Sequence, residues 1–91
     1  MIINLQKLLR LPVYTESGVK LGQVYDLEID VDSHTVMQYL VRQNMLSAKY
    51  FLVKNSQIKD ITKDKVIVED NVLKVNPAKV FSVISRPEED M

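Results

Sequence analysis

Residues 18–34 read GVKLGQVYDLEIDVDSH. Asp26, Glu28, Asp30 and Asp32 fall on every second position, with Leu27, Ile29 and Val31 between them. A strand shows its two faces with a period of two, so the alternation predicts Tyr25, Leu27, Ile29 and Val31 on one face and the acids on the other. Gly18 closes the Glu16-Ser17-Gly18 turn, where a residue free to adopt positive φ is needed. Gly22 stands inside the strand itself, and an internal glycine marks a bulge or a sharp bend. A bent, long strand is what a small barrel needs in order to close.

The same alternation decides against chemistry at the acids. A calcium loop needs acids at its first, third and fifth positions, glycine at the sixth and an acid at the twelfth. Counting from Asp30 puts Thr35 at the sixth position and Val41 at the twelfth, and counting from Asp26 puts Val31 and Met37 there. Alternate side chains of a strand also stand about 6.5–7 Å apart, too far to form a chelating cage by themselves. Acid–base work needs one buried carboxyl with a raised pKa, whereas these side chains point to solvent. His34, the only histidine, sits in a turn beside Ser33 with no third group to orient a nucleophile–base pair. Gly18 and Gly22 open a strand and not a helix, so they form no phosphate loop. No catalytic residue, metal site or cofactor site is expected, and the chain is not read as an enzyme.

Outward from this strand, NLQKLLR places Leu5, Leu8 and Leu9 at helical spacing with Asn4 as cap, and Pro12 limits the helix to a turn or two. PVYT follows as a short strand. Asp32-Ser33-His34-Thr35 turns the chain back into VMQYLVRQ. There Met37, Tyr39 and Val41 are expected on one face, with Val36 and Leu40 beside Gln38 and Arg42 on the other, so that both faces are partly apolar. YFLV (50–53) and KVIVE (65–69) read as strands, SQIKDI as a turn or short 3₁₀ segment, and DNVLKV as a turn that continues extended. For 76–85, Asn76 and Pro77 favour a helix start, while Val80, Val83 and Ile84 favour a strand; strand is preferred. RPEEDM is read as a flexible acidic tail. The resulting division is a barrel over 1–71, an extension packing on it over 72–85, and the tail over 86–91.

Bulk composition fits one small all-β domain. The chain has 91 residues, 46% hydrophobic and 26% charged, with twelve basic residues balancing twelve acidic ones. Zero net charge argues against a dedicated nucleic-acid binder, which draws its affinity from excess Lys and Arg. The charge is nonetheless uneven: acids fill Asp26–Asp32, while Arg42, Lys49, Lys54, Lys59, Lys63 and Lys65 face only Asp60 and Asp64. Without cysteine there is no disulfide, thiol nucleophile or Cys-based zinc site. MIINLQKLLRLPVY lacks the pattern of a signal peptide and no apolar run reaches the ~18–20 residues of a membrane span, so a cytoplasmic location is expected.

Tyr39, Arg42, Lys49 and Tyr50 form the strongest candidate surface, because aromatics interleaved with bases suit partner binding or stacking on single-stranded nucleic acid. With only four tyrosines and two phenylalanines in the chain, the same rings are also wanted for the core.

These stretches resemble the PRC-barrel domain, the small β-barrel named for the photosynthetic reaction centre. The resemblance lies in the opening leucines of LLRLPVY, the turn at Gly18, and the Gly-X-Val-X-Asp-X-X-X-Asp line formed by Gly22, Val24, Asp26 and Asp30. VDSHTVMQYLVRQ and YFLVKNSQIKDITKDKVIVE continue it. The chain departs from the family where Arg10 or Leu11 replaces a frequent glycine before the first strand, and again in the turn at Ser33-His34. The resemblance implies an all-β PRC-like barrel with a short N-terminal helical turn. It also implies a non-catalytic, stand-alone adaptor that docks onto a protein partner or self-associates, a homodimer included, without membrane insertion. An accessory RNA- or ribosome-associated factor using the basic 42–65 face is the alternative.

Overall fold

A computed structural model of the chain describes residues 1–44 and 50–75. One helical turn, α1 (Leu5–Leu8), precedes seven strands: β1 (Pro12–Thr15), β2 (Lys20–Asp30), β3 (Thr35–Arg42), β4 (Tyr50–Lys54), β5 (Ile58–Ile61), β6 (Val66–Val68) and β7 (Leu73–Val75). A 3₁₀ turn, Asn55–Gln57, joins β4 to β5. Asn4 caps α1 as expected, its Oδ1 accepting the Lys7 N–H at 2.9 Å. The sheet runs past residue 71, because β7 pairs antiparallel with β4. The readings for 76–85 and for the tail 86–91 lie outside the described residues.

The strands form one sheet in the order β5-β6-β1-β2-β3-β4-β7. Neighbours pair antiparallel except β1 and β6, which run parallel in the register Val13↔Val66 and Thr15↔Val68. The core shows that this sheet wraps. Val13, Val24, Val41, Val53, Val66 and Val68 are essentially inaccessible and belong to one cluster, although β6 and β4 are four places apart in the sheet. A flat sheet would hold those strands about 19 Å apart. Only a rolled one brings Val53 and Val66 into the same interior. Leu8 and Leu11 of the N-terminal segment add to this cluster. The architecture is therefore the small all-β barrel that the sequence suggests.

Bulges overturn the expected faces. Gly22 pairs with Val13 and Lys20 with Tyr14, leaving Leu21 as an extra residue on β2. The irregularity falls beside the internal glycine, as the sequence indicates. Tyr25 is a second extra residue, since Val24 pairs with Val41 and Asp26 with Leu40. Each insertion reverses the inward phase. Val24 therefore points into the core at 2% exposure, while Tyr25, expected inside, stands out at 45%. Met37 is the extra residue on β3 and is likewise exposed instead of joining Tyr39 and Val41. Ile29 and Val31, also expected inside, are 57% and 75% exposed. Among the described residues, nothing from Glu28 to Thr35 contributes to the core, so the tip of the β2–β3 hairpin extends beyond it. Tyr39, Leu40 and Val41 are all buried, which bears out a strand with two apolar faces.

Candidate functional site

Arg42 ends β3 between two neighbours, pairing with Gln23 of β2 and Tyr50 of β4. The Tyr25 bulge turns that ring outward on the strand beside it. Arg42 Cζ lies 4.1 Å from the Tyr25 ring centroid and 5.3 Å from that of Tyr50. The two rings sit 5.6 Å apart, tilted by 41°. Arg42 Nη2 also donates to Tyr50 Oη at 2.9 Å. Cation–π contacts of this kind contribute about 0.5–2 kcal/mol each, more where water is excluded. The guanidinium is thereby held in place, and its Nε is buried without an acceptor among the described residues.

Gly22 makes the strand approach possible. A Cβ at this position would stand 2.1 Å from the Arg42 carbonyl oxygen and 2.8 Å from Gln43 Cα. Both are backbone atoms, so no rotamer change relieves the overlap. Its φ of +147° adds a conformation that other residues rarely adopt.

Beside Arg42 opens a cleft of about 260 Å³ lined by Leu9, Arg10, Gln23, Val24, Tyr25 and Arg42. Its other wall is the short link between α1 and β1. The Arg10 N–H donates to the Val24 carbonyl at 2.7 Å, and the Val24 N–H donates back to the Leu11 carbonyl at 2.9 Å. This reciprocal pair fixes Arg10 against β2 at φ +80°. A larger hollow of about 570 Å³ lies against Met37, Gln38, Lys54, Asn55 and Ser56, and among these described residues Lys54 alone is charged.

The family model for the PRC-barrel domain matches residues 2–74. The chain belongs to the PRC-barrel family. No curated protein matches it. The PRC-barrel match spans α1 and all but the last residue of the sheet, and it points to a small, non-catalytic domain. Among the described residues, Arg10 at φ +80° and His34 at φ +58° are the non-glycine residues with positive φ. They fall at the two places, Arg10 or Leu11 and the Ser33-His34 turn, where the resemblance implies a glycine.

The predicted site residues divide. Arg42 and Tyr50 come together as expected for one surface. Tyr39 does not join them: it is 7% exposed within the core cluster, and burial raises the pKa of its hydroxyl. Its ring is part of the core. Lys49 lies outside the described residues. Tyr25, absent from the predicted surface, takes the place that Tyr39 was assigned. The signal that could have found it was Val24 of the PRC-barrel line, which demands the inward position that alternation gives to Tyr25.

The acids are spent locally. Asp26 Oδ1 accepts the Leu27 N–H at 2.8 Å, Glu28 accepts from Gln38 Nε2 at 2.7 Å, and Asp30 accepts the Asp32 N–H at 3.1 Å. Among the described residues no three His, Asp or Glu side chains gather closely enough to hold a metal ion. No described helix is long and apolar enough to cross a membrane. Gly18, at φ +94°, occupies the turn before β2 as expected. In that turn Ser17 donates to Asp70 Oδ1 from both its N–H, at 3.1 Å, and its hydroxyl, at 2.9 Å. The two donations hold the Asp70 carboxyl below its usual pKa.

Proposed function

We propose that this PRC-barrel domain is a non-catalytic docking module that engages a protein partner through the Tyr25–Arg42–Tyr50 face. The observation that carries this reading is the ordered arginine between two tyrosines at the mouth of a cleft. Tyr and Arg dominate the energetics of protein interfaces, and a side chain already fixed loses little further entropy on binding. The bulge supports the reading as well, since it turns outward an aromatic ring that a regular strand would spend on the core.

Photo-crosslinking from position 25, with p-benzoylphenylalanine replacing Tyr25 in the source cells, tests it. Discrete adducts from position 25, absent from a control at Lys63 and lost on R42A, are the expected result. An adduct at twice the chain's mass identifies self-association. Equal labelling from both positions removes the proposal.

A further inference from the structure

The cleft beside Arg42 carries two cations, Arg10 and Arg42, and no carboxylate among its described lining residues. That is not the average of a surface with twelve acids against twelve bases. Neither arginine pairs with a described acid; the described ion pair joins Lys59 to Glu16, 4.0 Å apart. Arginine keeps its charge at any physiological pH, so the excess is permanent. A guanidinium offers a planar set of donors that matches a carboxylate edge to edge. Here it is oriented by the Tyr25 ring and the Tyr50 hydroxyl before any ligand arrives. Leu9, Val24 and the Tyr25 ring give the same cleft an apolar wall.

We propose that this cleft is a carboxylate-binding site that seats a glutamate or aspartate side chain of an acidic partner peptide. A neighbouring apolar residue of that peptide rests against Leu9 and Tyr25. The inference rests on the docking reading and names the chemistry of its partner. Size and charge select a peptide over RNA. At about 260 Å³ the cleft is smaller than the ~300–1,000 Å³ typical of small-molecule sites, and it suits one or two side chains better than a nucleotide. β2 leads directly from Tyr25 into Asp26, Glu28, Asp30 and Asp32, which repel a phosphate backbone continuing along the strand. A single carboxylate stops at the cleft.

The test uses the full chain and three probes in fluorescence anisotropy at low salt: Ac-SGLELSG-NH2 with a single glutamate, its glutamine counterpart Ac-SGLQLSG-NH2, and a ten-nucleotide oligouridine. The glutamate peptide is expected to bind at least tenfold more tightly than the glutamine peptide. R10Q and R42Q are each expected to weaken it at least fivefold, with K63Q without effect. Should R42Q fold poorly, R10Q at the exposed position and the Arg42 Nε–H resonance of the wild-type protein carry the test. That resonance should move with the glutamate peptide and not with the glutamine one. Equal affinity for the two peptides, an unmoved Arg42 resonance, or tighter binding of oligouridine overturns the site. Cellular adducts at position 25 that persist in R10Q and under excess glutamate peptide also overturn it, while leaving the docking reading intact. Peptide binding of the expected kind without any such adducts supports the site and removes the docking reading alone.

Discussion

At the scale of single residues, two backbone positions make opposite predictions. Gly22→Ala forces a Cβ to within 2.1 Å of the Arg42 carbonyl oxygen, where no side chain can yield. Combining overpacking with the φ penalty, we expect a loss of about 3 kcal/mol, read from the urea midpoint. His34 presents the reverse case. It holds φ +58° on an exposed turn, a conformation that costs an L-residue about 1–2 kcal/mol. Glycine removes that strain but adds chain entropy to the unfolded state, so His34→Gly is expected to stabilise the domain by about 0.5–1 kcal/mol. An unchanged or lower urea midpoint in H34G would show that the turn carries no strain.

Between elements, Asp70 after β6 ties itself to Ser17 after β1 across the parallel pair. Its carboxyl titrates lower in the folded chain than in the unfolded one, because Ser17 donates twice to the ionised form. A depressed acid contributes stability that is fully present above the unfolded pKa, about 3.9, and is lost as pH falls through the folded value. Wild type should therefore exceed D70N in urea midpoint at pH 7, and the gap should close as pH falls through the folded value. A gap that is constant from pH 7 to pH 2 would show that the tie does not depend on ionisation. The elements also explain what the sequence made legible. β1, β2, β3, β4 and β6 are visible as strands, through alternation, an internal glycine or a short apolar run. Ile58-Lys59-Asp60-Ile61 is not, because the extra residue Lys59 spaces its two apolar residues three apart. Tyr25 and Met37 are misassigned for the same reason. A bulge shifts the phase without requiring a distinctive residue, so faces, and with them the candidate surface, are less legible than the strands that carry them.

For the whole molecule, the decisive connection is the most distant one. β1 and β6 pair across some fifty residues of chain, and that pairing joins β5 and β6 to the rest of the sheet. Such non-local contacts form after the local hairpins, since closing a long loop costs entropy before any contact offsets it. Val66, 1% exposed on β6, reports on that step. Val66→Ala should destabilise the domain by about 2 kcal/mol. In stopped-flow kinetics nearly all of this should appear as roughly 30-fold faster unfolding, with little change in the folding rate. A folding rate that slows by a comparable factor would place the parallel pair in the nucleus instead. The barrel also bears on how its surface would emerge from saturation mutagenesis. A screen scored only on partner binding should rank Gly22 beside Arg42, although glycine has no side chain to offer a partner. The β2 backbone is pressed against the carbonyl of the very residue that carries the guanidinium, so every replacement at 22 displaces the charge it never touches. Second-site suppressors of Gly22 variants are then to be sought in the backbone around residue 42, and not among residues that face the ligand.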